Sequence, residues 1–187
     1  MSVAYEHSGP WTVQDVLTLG EDRQHRHELL DGTLMMSPAP GIRHQRASRR
    51  LANVLDQAAR AVGAPVEVLE AVNVTVPSGL FIPDIAVVDR AATQGDPVVL
   101  DAEAVSLVVE IVSPGTRHMD LRMKPMLYAE AGIEGYWRLE LAPTPYLVVA
   151  DLKDGGYVER VTARAGVTTE LTAPFPVLVD PGALTER

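Results

Sequence analysis

The chain has 187 residues, a formal charge of −9 at pH 7 and no cysteine. The length suits one domain with its own hydrophobic core. Without cysteine there are no disulfides and no thiolate metal sites, so a bound metal needs oxygen or imidazole ligands, which favours Mg²⁺ or Mn²⁺ over structural zinc. The acidic charge argues against indiscriminate nucleic-acid binding, which depends on Lys and Arg.

The ends and apolar stretches of the sequence predict a cellular location. The first thirty residues lack the basic start and apolar core of a signal peptide. No apolar stretch approaches the length that spans a membrane. We therefore expect a soluble, cytoplasmic protein of the bacterial type, folded as a single domain over residues 1–187.

The apolar periodicity alternates between helical and extended, which predicts an α/β fold. In chain order, the predicted elements are helix 11–19, strands 26–31 and 33–37, helix 42–62, one bent or two short strands over 66–76, strand 82–88, a loop over 89–101, strand 105–112, helix 119–131, and strands 134–141, 145–151, 156–162 and 167–171. Asp31-Gly32 is the strongest hairpin signal. We expect a central mixed sheet flanked by helices, with an N-terminal hairpin and a C-terminal β-meander.

Glu110 lies inside an unbroken apolar run, 107–112. A run so rich in Val and Ile predicts a strand that is covered on both faces. An ionised carboxylate there costs roughly several kcal/mol unless a positive or hydrogen-bonding group meets it. Asp84 is a second carboxylate in an apolar run, 81–88, and Lys124 follows downstream. Two buried acids at strand ends with a lysine in reach predict a site for a divalent metal.

Three stretches carry a resemblance to a known family. They are RHELLDG at 26–32, PDIAVV at 83–88 and LVVEIVSPGTRHMDLRMKPMLYAEAGIEGYW at 107–137. The last combines E-(hydrophobic)₂-S-P with a D…K…Y-x-x-x-G-(hydrophobic)…Y-W pattern. The chain resembles the PD-(D/E)XK nuclease superfamily and, within it, the bacterial restriction-endonuclease family called Uma-two. The resemblance implies a restriction-endonuclease-like fold.

The resemblance also implies roles for individual residues. Asp84 matches the acid of the Pro-Asp element, and Glu110 matches the acid of the E-x-K element. Val112 stands where the superfamily pattern has its lysine, and Lys124 on the following helix matches a relocated lysine. Glu28 would be a further acid of the metal site, contributed by the first hairpin.

Phosphodiester hydrolysis needs an activated water and stabilisation of charge on the phosphoryl group, and one or two Mg²⁺ ions supply most of this. The resemblance therefore implies an Mg²⁺- or Mn²⁺-dependent endonuclease acting on DNA. Asp84, Glu110 and the carbonyl of Ile111 would hold the metal, and Lys124 would assist the attacking water. Cleavage of both strands would favour a homodimer with two such sites.

Two residues in the first turn of the long predicted helix are candidates for contact with the substrate. His44 and Arg43 follow a Pro-Gly turn, where they would reach a phosphate or a water at the site. The same residues fit a solvated helix end. The stripe of Arg43, Arg46 and Arg50 fits either a surface that tracks a DNA backbone or an ordinary charged helix face.

Structural roles stay open for the other candidates. Asp84 fits a turn cap, and the hairpin glutamate fits a solvent-facing strand residue. Glu110 fits a buried ion pair with Arg117 or Arg122, and Lys124 fits a solvated helix lysine. Two other functions fit the same residues. One is a nucleic-acid-binding module that does not cleave, and the other is a regulatory or toxin–antitoxin-type interaction protein whose acids are structural.

Overall fold

Thirteen strands and three α-helices make up the part of the chain described by the structure, a computed structural model covering residues 7–20, 24–113, 115 and 117–186. The helices are α1 (Val13–Thr18), α2 (Ile42–Ala61) and α3 (Lys124–Glu130). The strands are β1 (His25–Leu30), β2 (Thr33–Pro38), β3 (Val66–Glu70), β4 (Val74–Val76), β5 (Gly79–Phe81), β6 (Ile85–Asp89), β7 (Leu100–Asp101), β8 (Val105–Val112), β9 (Gly135–Glu140), β10 (Tyr146–Lys153), β11 (Gly156–Arg164), β12 (Thr169–Leu171) and β13 (Val177–Val179).

The strands form a six-stranded sheet in the order β11-β10-β9-β8-β6-β3 and a five-stranded sheet in the order β2-β1-β5-β4-β7. Both sheets are mixed, because β8 pairs parallel with β9 and β4 pairs parallel with β7, whereas their other pairs are antiparallel. The N-terminal hairpin β1–β2 therefore belongs to the smaller sheet. None of the helices in the described ranges is both long enough and apolar enough to cross a membrane.

Strand β8 has the predicted bounds and is covered on both faces. Its alternate residues Leu107, Val109 and Ile111 belong to the core cluster that includes residues of α2, and Val108 belongs to the cluster that includes residues of α3. Because successive side chains of a strand point to opposite faces, Glu110 lies on the same face as Val108. The strand thus directs the Glu110 carboxylate toward α3.

The turn between β1 and β2 has the conformation that its sequence predicts. Asp31 and Gly32 have φ angles of 46° and 75°, as a two-residue hairpin of matching twist requires. Leu30 pairs with Thr33 across the turn. The alternation along β1 then places Arg26 and Glu28 on one face of the hairpin.

The structure differs from the predicted elements in several places. Strand β7 lies in the predicted loop 89–101, and β13 follows the last predicted strand. The last predicted strand is not part of a continuous meander, because β12 pairs with β13 in a separate two-stranded sheet. The short strand β5 lies between the predicted strand region 66–76 and the predicted strand 82–88. The predicted helix 119–131 has a π-helical turn at Met119–Met123 before α3. Pro125 at the start of α3 has no N–H to donate, which favours this irregular entry.

We expect Gly79→Ala to lower the free energy of unfolding by at least about 2 kcal/mol. A Cβ at this position would lie 2.1 Å from the carbonyl oxygen of Leu29 in the neighbouring strand β1, so the two strands would have to separate. Gly156→Ala is the matched control, since its Cβ meets no atom within 4 Å. Urea unfolding measures both variants, and equal stabilities would contradict the close approach of β5 and β1.

Candidate functional site

A cavity of about 420 Å³ opens between the β1–β2 hairpin, the N-terminal end of α2 and the C-terminal end of β8. Ionisable side chains from all three regions and from the entry to α3 line it. They are Arg26, Glu28, His44, Asp84, Glu110, Asp120 and Lys124. Ile111 also lines the cavity, whereas Arg43 is exposed and is not among the lining residues. Six of the seven candidate residues therefore meet in one place.

Asp84 precedes β6 and is buried. Its Oδ1 accepts a hydrogen bond from Nη1 of Arg26 at 2.6 Å, and its Oδ2 accepts one from the backbone N–H of Ile111 at 2.8 Å. Nε2 of His44 lies 3.1 Å from the same Oδ2. These partners come from β1, β8 and α2, so the side chain is not a local turn cap. It joins three separate elements at the cavity.

The partners of Asp84 also set its charge state. Burial alone would raise its pKa, but the hydrogen bond and charge of His44, the charge of Arg26 and the Ile111 N–H outweigh burial. The pKa of Asp84 therefore lies below its usual value. Asp84 is an ionised carboxylate at neutral pH.

Glu110 is 2 % exposed, and its Oε1 accepts two hydrogen bonds. Nζ of Lys124 donates one at 3.0 Å, and the hydroxyl of Tyr128 donates the other at 2.8 Å. The two donors are four residues apart on α3 and so share a helix face. Arg117, which we considered as an ion-pair partner for Glu110, instead pairs with Glu140 at 2.7 Å.

Glu28 is a second carboxylate partner of Lys124. Its Oε1 lies 2.9 Å from Nζ of Lys124 and accepts a hydrogen bond from the backbone N–H of Ile82, also at 2.9 Å. Glu28 is buried, so it is not a solvent-facing strand residue, and buried Lys124 is not a solvated helix lysine. The ammonium lies between two carboxylates.

The cavity carries more negative than positive charge. Among its described lining residues, four carboxylates surround the permanently basic Arg26 and Lys124. Burial raises the pKa of Glu110 to about 8, against the attraction of Lys124 and with help from the three other cavity carboxylates. Burial would lower the pKa of Lys124, but Glu110 and Glu28 outweigh it and raise that pKa. The lysine stays protonated, and Glu110 carries the excess negative charge only when the pH is high enough.

Three residues of this site were not among the candidate site residues predicted from the sequence. Arg26 alternates with Glu28 on β1, and Tyr128 and the buried Asp120 lie four residues to either side of Lys124. The stripe at 120, 124 and 128 is visible in the sequence as a helical spacing. Tyr128 is fully buried, and its hydroxyl contacts Glu110.

Within the ranges described, no three His, Asp or Glu side chains are grouped so that they would hold a metal ion. A metal would therefore need a main-chain ligand beside side-chain carboxylates. Asp84, Glu110 and the carbonyl of Ile111 would supply oxygen donors of that kind, and all three residues line the cavity. Mg²⁺ prefers oxygen ligands and usually keeps several waters, so this donor set fits it.

The Arg43, Arg46 and Arg50 stripe divides into different environments. Arg43 is exposed and Arg46 is half-buried. Nη1 of Arg50 donates hydrogen bonds to the carbonyl oxygens of Ala183 and Glu186, each at 2.8 Å. Arg50 therefore ties α2 to the C-terminal segment.

In metal-free buffer, we expect Glu110→Gln to remove a pH-dependent loss of stability. The folded protein keeps a proton on Glu110 up to about pH 8, whereas an unfolded glutamate releases it near pH 4.5. The stability due to this proton is complete below the lower value and is lost as the pH rises through the higher one. Relative to the variant, the free energy of unfolding of wild type should fall by up to roughly 1.4 kcal/mol per pH unit as the pH rises between these two values. Urea unfolding across the window measures it, and parallel curves would contradict it.

No curated protein matches the chain. One similar solved structure is a crystal structure from Anabaena variabilis ATCC 29413, described as "a putative nuclease belonging to DUF820". It aligns with a TM-score of 0.69 and 15 % identity, over 88 % of this chain and 90 % of that chain. This likeness confirms the restriction-endonuclease-like α/β fold.

The model of the Uma2 family, described as "Putative restriction endonuclease", matches residues 13–184. That range contains the three stretches on which the resemblance was based, together with every residue that lines the cavity. The chain therefore belongs to the Uma2 family.

Proposed function

We propose that the chain is a divalent-metal-dependent endonuclease that hydrolyses phosphodiester bonds in DNA. The charge imbalance of the cavity carries the proposal, because four carboxylates face only two permanent cations among the described lining residues. A divalent cation would supply the two positive charges that are missing once Glu110 is ionised. Membership of a family described as "Putative restriction endonuclease" supports the nuclease chemistry.

Asp84, Glu110 and the carbonyl of Ile111 would hold Mg²⁺ or Mn²⁺, with Glu28 as a further acid beside them. When bound, the ion supplies Lewis acidity and stabilises the charge that develops on the phosphoryl group. Lys124 and Tyr128 contact Oε1 of Glu110, and Lys124 and Ile82 contact Oε1 of Glu28. All of these contacts are to Oε1, so we assign the metal contact of each glutamate to Oε2.

Lys124 acts as a cation and hydrogen-bond donor, because its raised pKa keeps it protonated. In that form it orients the attacking water and stabilises negative charge on the phosphoryl oxygens. It does not serve as the base that removes the proton of the water. Glu28 and Glu110 together position the ammonium.

Arg43 is the proposed phosphate contact outside the cavity, since it is exposed in the first turn of α2 next to the lining residue His44. Cutting both strands of a duplex would use two such sites in a homodimer. With a charge of −9 on the chain, DNA binding would depend on the metal and on local basic residues rather than on overall charge.

The second candidate function is a nucleic-acid-binding module that does not cleave. One observation favours it, namely that Lys124, Arg26 and His44 already contact the three proposed acids. A metal would have to compete with these contacts. The following experiment separates the two functions.

We expect the protein to nick supercoiled plasmid DNA in the presence of Mg²⁺ or Mn²⁺, and Lys124→Met to slow nicking by roughly 100-fold or more through loss of charge stabilisation. Lys153→Met is the matched control, because Lys153 is the other lysine of the chain and is exposed at the end of β10. Agarose gels measure the nicking rate. Metal-dependent DNA binding without strand breaks in wild type would favour the non-cleaving module.

We expect Mn²⁺ or Mg²⁺ to raise the melting temperature of wild type but not of Asp84→Asn, because the amide loses the negative charge that attracts the ion. The isosteric variant is preferable to Asp84→Ala. Removing one partner of a buried ion pair costs about 3–5 kcal/mol, and Asp84→Ala would leave Arg26 unpaired. Calorimetric melting with metal and with EDTA measures the shift, and an equal shift in both proteins would exclude Asp84 as a ligand.

A further inference from the structure

We infer that His44 is a third protein ligand at the Asp84 end of the proposed metal site. We further infer that it gives the site a preference for Mn²⁺ over Mg²⁺. The inference rests on the proposed function in one respect, namely that Asp84 and the Ile111 carbonyl hold a metal. It does not require that the protein cleaves DNA.

The position of the His44 ring nitrogen is the first observation. Nε2 lies 3.0 Å from the carbonyl oxygen of Ile111 and 3.1 Å from Oδ2 of Asp84. In an octahedral site with metal–ligand bonds of about 2.1 Å, adjacent ligand atoms are about 3.0 Å apart. The nitrogen therefore already has the spacing of a neighbouring ligand relative to both oxygens.

The other contacts of Asp84 indicate that Oδ2 is the oxygen that would bind the metal. Arg26 occupies Oδ1 at 2.6 Å. Oδ2 accepts the Ile111 N–H and faces Nε2 of His44. A metal that Asp84 binds through Oδ2 thus meets the Ile111 carbonyl and the imidazole together.

The position of the hydrogen on the His44 ring explains how the same arrangement suits both the metal-free and the metal-bound site. Both oxygens are acceptors, so without metal Nε2 carries the hydrogen that lies between them. A cation that Nε2 binds takes the place of that hydrogen, and the bound ring carries its hydrogen on Nδ1. Nδ1 is buried without a hydrogen-bond partner in the described part of the protein. Metal binding therefore breaks no hydrogen bond at Nδ1.

The fold holds the ring in place. Ala47, Leu51 and Leu55 follow His44 along one face of α2, and these three residues share a buried core cluster with Ile111. The His44 side chain is only 11 % exposed. The ring is therefore a preorganised part of the cavity wall rather than a solvated helix end, as a metal ligand requires.

The donor types then determine the metal. Mg²⁺ prefers oxygen ligands, whereas an imidazole nitrogen binds first-row transition metals more strongly. Two oxygens and one nitrogen at the Asp84 end of the site therefore shift its preference toward Mn²⁺. Mn²⁺ is also a useful probe, because its unpaired electrons report a directly bonded nitrogen.

The test is pulsed electron paramagnetic resonance of Mn²⁺ bound to the wild-type protein, combined with calorimetric titrations of Mn²⁺ and Mg²⁺. We expect a ¹⁴N coupling in wild type that is absent in His44→Ala and His44→Gln. The Mn²⁺ affinity of both variants should fall by at least about tenfold, since loss of even an outer-shell partner costs roughly 10–100-fold. The Mg²⁺ affinity should fall less.

His118→Ala is the matched control, because His118 is exposed and does not line the cavity; it should keep the coupling. Bound Mn²⁺ without a ¹⁴N coupling in wild type would overturn the inference without any variant, even if a variant fails to fold. Unchanged Mn²⁺ and Mg²⁺ affinities in folded His44 variants would also overturn it. Absence of any metal binding to wild type would overturn both the inference and the proposed function. A ¹⁴N coupling without DNA cleavage would support the inference and leave only the non-cleaving function.

Discussion

The ammonium of Lys124 lies between the carboxylates of Glu28 and Glu110, in a region from which water is largely excluded. Removing the ammonium would leave both carboxyl groups buried without their cation, which is far more costly than losing a surface ion pair. The contact also joins β1, β8 and α3, which belong to both large sheets and to the helix between β8 and β9. The same ion pairs therefore determine both the stability of this part of the fold and the charge of the cavity.

Asp84 and Glu110, two buried acids of the cavity, differ in how their charge is stabilised. Asp84 has an arginine, a histidine and a backbone N–H around it, and its pKa is lowered. Glu110 has a lysine that it shares with Glu28, and its pKa is raised. One acid is thus permanently charged, while the other changes its charge with its surroundings. A site that gains and releases a cation benefits from this division, because the empty state does not have to hold all its negative charge.

Part of this arrangement could be read from the sequence, because local pattern decides it. The apolar run around Glu110 gave the bounds of β8, and Asp31-Gly32 gave the hairpin. The contact of Arg26 with Asp84 could not be found in this way, since it joins residues 58 positions apart and depends on β1 lying beside β5. The pairing of β12 with β13 likewise depends on tertiary packing rather than on the periodicity of either segment.

The π-helical turn at Met119–Met123 leads directly into the helix that carries Lys124 and Tyr128. Each residue advances a helix by about 100°, so the length of this segment fixes the angular phase of everything after it. Losing a single residue there would rotate the amine and the phenol away from Glu110 together. The reactivity of the cavity thus depends on the chain length of this segment, and insertions or deletions at this point would be more damaging than most substitutions.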